Sequence, residues 1–199
     1  HTEVKIRLTA KAKNEQETDE IIEKVENEIK SRLLDNVFGV DDETMERIVA
    51  ILLSMKKLTL SVAESCTGGL ISNKLTNIPG SSTFFKRGIV AYSNEAKVEL
   101  LKVTEEALRL FGAVSKQVAE EMALGARRSG KTNLGLSVTG IAGPSGATDV
   151  KPVGLVYVAI SSETDLICKE IRFNGDRVKI KEQTSQFALD LLRRYLLIK

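Results

Sequence analysis

The chain has 199 residues, 42% of them apolar, enough for one medium domain or for one medium and one small domain with separate cores. No run approaches the roughly 20 consecutive apolar residues of a membrane span, the first residues are no signal peptide, and Cys66 and Cys168 are too few and too distant for a disulfide framework. The formal charge of +2 is unevenly shared: residues 1–58 hold 10 Lys and Arg against 13 Asp and Glu, the remainder 19 against 14, a placement that suits a small anionic substrate better than nucleic acid.

Residues 3–12 place Val4, Ile6, Leu8 and Ala10 on one face and Lys5, Arg7, Thr9 and Lys11 on the other, the alternation of a half-buried strand. Ile21, Val25, Ile29 and Leu33 then recur every four residues, predicting a helix over 15–34. A second short strand is expected at 37–40, and a helix at 44–57 with Met45, Ile48, Val49, Leu52 and Met55 inward. Together these give a small β-α-β-α module over residues 1–57.

From residue 58 apolar strands alternate with Gly- and Ser-rich turns and helices, as in an α/β layered domain. Strands are expected at 58–64, 88–92, 133–139, 153–160 and 166–173, and helices at 67–77, 95–101, 104–111, 115–128 and 177–197. The last two strands are separated by a loop short enough for a hairpin, so the sheet should be mixed. The expected fold is a three-layer α/β/α domain over 58–199 with a small α+β module before it. With two free thiols and no span, a cytoplasmic location is expected. The start at His1 in place of Met is that of a processed or truncated chain, with His1 read as a tag remnant.

Two motifs lose their first meaning in context. Gly125-Ala-Arg-Arg-Ser-Gly130-Lys131-Thr132 fits the P-loop pattern, but a P-loop follows a strand and opens a helix, and here the order is reversed. It reads as a helix C-cap and turn. Gly140-Ile-Ala-Gly143-Pro-Ser-Gly146 follows a strand with the wrong glycine spacing for a dinucleotide fingerprint, leaving a plain connection or a backbone-lined ligand loop. The only histidine is terminal and no Cys, Asp or Glu spacing suggests a metal, so no metal or cofactor is expected. A nucleophilic hydrolase built on this chain must use lysine, tyrosine, a carboxylate or water as its base.

Hydroxyls gather where strands or loops open into helices, at 63–69 and 79–83, where orphan amides and the helix dipole suit an oxyanion; simple N-capping is the alternative for each. In Tyr92-Ser93-Asn94-Glu95-Ala96-Lys97 a lysine falls in the first turn of a helix, where the dipole lowers its pKa toward that of a usable base; the alternative is an ordinary solvated lysine. Cys66 reads as a packed thiol, having no base near it in sequence.

The ordered motifs AESCTGG, PGSSTFFKRGIVAYSNEAK, GAVS, TGIAGP, KPVG and NGDR resemble the CinA C-terminal domain over about residues 58–199. That family contains nicotinamide mononucleotide deamidases. The resemblance implies an amidohydrolase that converts nicotinamide mononucleotide to nicotinate mononucleotide and ammonia. It implies Ser82 as nucleophile, Lys97 as its base, Tyr92 and Ser65 in the hydroxyl network, and Thr139, Gly140 and Arg177 at the substrate, Arg177 meeting the phosphate. Residues 1–57 resemble, more weakly, the KH-type module that precedes this domain in full-length CinA proteins; the pyrophosphatase domain that comes first there is absent from this sequence. The module lacks a GXXG loop and is net acidic, so a role joining protein surfaces, in a homodimer, is expected rather than RNA binding. Another amide substrate, or a non-catalytic binding scaffold, is the rival reading.

Overall fold

The structure, a computed structural model, describes residues 3–198; the reading of His1 as a tag remnant lies outside the described residues. The chain forms two compact units, His1–Glu43 and Thr44–Lys199.

In the first unit the predicted helix is present as α1, Glu15–Leu33. Asn14 caps it, its side-chain oxygen accepting from the Glu17 N–H at 2.8 Å, and acidic residues open the helix while Lys30 and Arg32 close it, as the helix dipole favours. A 3₁₀ turn, Leu34–Asn36, follows. The two predicted strands are not formed: residues 3–12 and 37–40 are paired in no ladder. Alternation specifies which face a strand would bury, but a strand also needs a hydrogen-bonding neighbour for its backbone, and among the described residues this unit supplies none. Val4 and Ile6 are accordingly exposed.

Helix α2, Met45–Met55, was expected in the small module but belongs to the second unit. Thr44 caps it, and Met45, Val49, Ala50 and Leu53 are buried, α2 packing against the helices labelled α3 and α7 below. Four-residue spacing of the buried side chains sets this face, which leaves Met55 exposed rather than inward.

The second unit holds strands β1 Leu60–Glu64, β2 Phe85–Val90, β3 Leu134–Gly140, β4 Leu155–Ser161 and β5 Leu166–Arg172 in the order β2-β1-β3-β4-β5. β1 runs parallel to β2 and β3, while β4 is antiparallel to both β3 and β5, giving the mixed sheet and hairpin expected. Helices α3 Leu70–Thr76, α4 Asn94–Leu101, α5 Glu105–Phe111, α6 Lys116–Gly130 and α7 Arg177–Ile198 cover it. Strand alternation separates the layers. Ala63 packs with Val118, Met122 and Ala126 of α6, whereas the adjacent Glu64 turns to α3 on the opposite face. No helix among the described residues is long and apolar enough to cross a membrane.

The P-loop look-alike is the end of α6. Gly125 lies against the Leu101 carbonyl so closely that a Cβ there would sit 2.0 Å from its oxygen, and Lys131, at φ 52°, ends the helix before β3. Its glycine thus serves helix packing and not a phosphate.

Candidate functional site

Strand β1 is buried throughout, and its ladder with β3 continues one residue further: the Ser65 N–H donates to the Val138 carbonyl at 3.1 Å. Ser65 is thereby fixed at the carboxyl end of the sheet, 8% exposed. The following turn closes with the Gly68 N–H on the Ser65 carbonyl at 3.1 Å, with φ of 64° at Gly68 and 98° at Gly69, a left-handed pair that glycine adopts without steric cost.

Glu64, fully buried, shapes this turn. Its carboxylate accepts from the N–H groups of Gly69 at 3.0 Å, Ile71 at 3.1 Å and Ser72 at 2.8 Å, and from the Ser72 hydroxyl at 2.7 Å. The start of α3 is thus capped from the preceding strand, and the amides expected to hold an oxyanion are already occupied. Within the turn the Thr67 N–H has no acceptor among the described residues, and the Thr67 hydroxyl is buried without a partner. Glu64 stands in the AESCTGG motif, but its role depends on a register between strand and helix that spacing alone does not reveal.

Lys97 enters the same place from α4. Ser93 caps that helix, its hydroxyl accepting from the Ala96 N–H at 3.1 Å, and Lys97 in the first turns is 1% exposed. Its amine lies 3.2 Å from Ser65 Oγ, 2.9 Å from the Ala91 carbonyl oxygen, 3.4 Å from that of Ser93 and 3.5 Å from that of Tyr92. Burial holds the amine below the ordinary lysine range, with Glu95 pulling the other way. The lowering expected from the helix dipole thus has desolvation as its leading cause. The amine donates to the Ser65 hydroxyl oxygen and to these three carbonyls; once it has lost a proton, its lone pair can accept the Ser65 hydroxyl proton in place of the first of these bonds.

The remaining predicted residues divide. Arg177, the first residue of α7, donates from one nitrogen to the Gly143 carbonyl at 2.6 Å and from another to the Tyr92 hydroxyl at 2.6 Å. The Tyr92 side chain therefore joins Arg177, while its backbone faces Lys97. Thr139, 1% exposed, donates to the Ala113 carbonyl at 2.8 Å and directly follows Val138, the residue that accepts from Ser65. Gly140 pairs with Val156, where a Cβ would collide with the neighbouring strand, so close packing requires a glycine here. Ser82 stands apart. It is exposed in the 3₁₀ turn Ser81–Thr83, its carbonyl accepts from Lys86 at 2.6 Å, and its hydroxyl makes no hydrogen bond to Lys97 or to any other described residue.

Cys66 packs with Ala142 and Ile180, and burial pushes its thiol up to about 12, the condition of an inert packed cysteine. On the α6 side a pocket of about 550 Å³ opens between Phe111, Ser115, Lys151, Tyr157, Cys168 and Glu170. Tyr157 lies opposite Thr139 in the β3–β4 register, but Ser65 and Lys97 do not line this pocket, so the buried pair and not this hollow marks the candidate site.

Comparison with known proteins places the chain. Residues 42–196 match the CinA C-terminal domain and residues 1–39 the KH domain of damage-inducible protein CinA, a division close to that between the compact units. A putative competence-damage inducible protein of Caldicellulosiruptor saccharolyticus is 48% identical over 98% of this chain and 47% of its own length; a CinA-like protein of Dictyoglomus thermophilum is 50% identical over 96% and 47%. The chain thus spans about half the length of these curated relatives. A solved competence/damage inducible protein from Agrobacterium tumefaciens superposes with a TM-score of 0.75 at 42% identity, covering 81% of this chain and 98% of that one. A CinA superfamily protein from Escherichia coli does so with 0.72 at 31%, covering 81% and 98%. Matched along both its segments by the two domains, the chain belongs to the CinA family.

Proposed function

We propose that the chain is an amidohydrolase that converts nicotinamide mononucleotide to nicotinate mononucleotide and ammonia, with Lys97 as its base. The observation that carries the reading is the buried Lys97 amine 3.2 Å from the Ser65 hydroxyl, with burial holding its pKa below the ordinary lysine range. The substrate comes from the resemblance of the motifs to the deamidases of the family.

In this reading a serine oxygen attacks the carboxamide carbon as its proton passes to Lys97. The C–N bond breaks, Lys97 returns the proton to the departing nitrogen, and ammonia leaves. Water then attacks the ester, Lys97 taking its proton and restoring it to the serine oxygen as the acid is released. Ser82 is the nucleophile that the resemblance implies, its proton reaching Lys97 by way of the Ser65 hydroxyl in this reading. A second reading makes Ser65 itself the nucleophile, because its hydroxyl is the side-chain group that contacts Lys97. Rapid acid quench during turnover, followed by peptide mass mapping, distinguishes them: the acyl group on Ser82 upholds the first, on Ser65 the second. Ammonia release from a panel of small amides tests the substrate. Turnover of another amide with nicotinamide mononucleotide inert would remove the assignment.

A further inference from the structure

We infer that Lys151 is a positioning residue of this site: its amine latches the turn between α5 and α6, and through that turn it sets where Thr139 and Ser65 stand. The inference rests on the deamidase reading and gives a role to two motifs, GAVS and KPVG, that the reaction itself leaves unused.

Lys151 opens KPVG, and Phe111, 40 residues before it, is the last residue of α5 and stands directly ahead of GAVS. A helix leaves its last carbonyls without partners of its own. Here the Leu108 carbonyl takes the Gly112 N–H, and the Phe111 carbonyl receives the Lys151 amine at 2.5 Å. A cation is the favoured partner at that end of a helix. Gly112, at φ 73°, comes so near that a Cβ would lie 3.2 Å from the amine, so a glycine keeps open the space that the latch occupies.

The reach of Lys151 is fixed from its own side as well. Reciprocal backbone bonds between Thr148 and Lys151 close a tight turn. Beyond it Val153 packs with Cys66, Ala142 and Ile180, and Gly154 runs so close to Phe173 that a Cβ would meet its carbonyl oxygen at 1.9 Å. Among the described residues Lys151 forms no ion pair, and Glu170, which lines the same pocket, is engaged by Tyr157 and Arg172. The half-buried amine is thereby committed to the Phe111 carbonyl.

From that carbonyl the contact leads to the site. The Ser115 hydroxyl donates to the Gly112 carbonyl at 2.9 Å and caps α6, which closes the turn. Inside the turn the Ala113 carbonyl holds the Thr139 hydroxyl at 2.8 Å, and Thr139 follows Val138, whose carbonyl accepts from the Ser65 N–H. Releasing the latch therefore loosens Thr139 first, and with it the end of β3 beside Ser65.

The test compares the full chain with Lys151→Met, which keeps the stem, and Lys151→Arg, which keeps a donor for the carbonyl, in deamidation of nicotinamide mononucleotide. Loss of one charge-assisted bond should raise KM about three- to tenfold in Lys151→Met and leave kcat within about twofold, with Lys151→Arg recovering most of the loss. An unchanged KM, with or without the fall in kcat that a smaller folded fraction brings, overturns the inference, and so does failure of Lys151→Arg to recover KM. If wild type releases no ammonia from the mononucleotide, the deamidase reading fails by itself and hydrogen exchange decides the latch. The Gly112, Val118 and Ala119 amides, protected by the bonds of this turn, should then exchange about three- to tenfold faster in Lys151→Met and return toward wild type in Lys151→Arg. Equal exchange in wild type and Lys151→Met overturns the latch.

Discussion

The amine of Lys97 lies 3.2 Å from the hydroxyl of Ser65, although α4 and β1 bring the two from positions 32 residues apart. A lysine that is 1% exposed without a carboxylate on its amine is costly as a cation; three carbonyls and a hydroxyl receive its hydrogens in place of water, and burial lowers its pKa.

Replacing Lys97 by Met keeps the stem and removes the amine. The deamidation kcat should fall by about 10²–10⁴, the usual worth of a positioned general base, while the melting temperature holds or rises because a buried polar group is gone. Steady-state kinetics and a thermal scan on the same sample check both halves. Lost activity accompanied by a collapsed melting transition would point to a structural lysine.

The pH dependence follows from the same burial. The folded-state pKa of Lys97 is below the ordinary 10.5, so the unfolded chain binds the proton more readily between the two values. Stability should therefore rise with pH across that window, and the destabilising contribution is fully present below the folded value. The rate should rise with pH along one ionisation below 10.5, as the base form accumulates. Lys97→Met should abolish both slopes, which denaturant titrations and rate profiles at a series of pH values would reveal.

Glu64→Gln leaves an amide facing donors that a carboxylate had received. One oxygen still accepts, but the NH₂ group opposes backbone N–H groups, so a loss of about 1–3 kcal/mol of stability is expected in urea unfolding. Activity should fall more than Lys97-independent unfolding explains, because the Ser65 turn loses its clamp. Unchanged urea midpoints would contradict the four-bond cap.

Cys66→Ala should keep deamidation within about twofold, as expected of a thiol that is packed rather than nucleophilic. With the thiol pushed up to about 12 and buried, iodoacetamide at pH 8 should leave Cys66 unmodified in the folded protein. Rapid labelling, seen by mass spectrometry, would refute that burial.

Gly125→Ala tests the helix contact, since its Cβ would fall 2.0 Å from the Leu101 oxygen. Shifting α6 to relieve this should cost about 1–3 kcal/mol, the usual cost of overpacking.

The layered domain was legible because its signals are local. The apolar runs of β1, β3 and β4, the short loop before β5, and the cap residues Ser93, Thr104 and Ser115 each mark an element without reference to the rest. Strand β2 was expected at 88–92 and begins at Phe85, because an edge strand with mostly exposed residues carries little apolar pattern. The two strands of the first unit failed for want of a partner, and α2 was placed on the wrong side of the boundary because its amphipathic period says which face is buried but not what buries it. At the site, the junctions made Ser65 and Lys97 candidates with ordinary capping and solvation as alternatives, the resemblance supplied their roles, and their pairing required the β1–β3 register and the cap of α4 together.

The most direct test of the central claim is ammonia release from nicotinamide mononucleotide by wild type and by Lys97→Met, measured on folded protein at a single pH near 8. The account predicts turnover by wild type and a loss of about a hundredfold or more in the variant. Equal release by both proteins, or none by wild type, would contradict it.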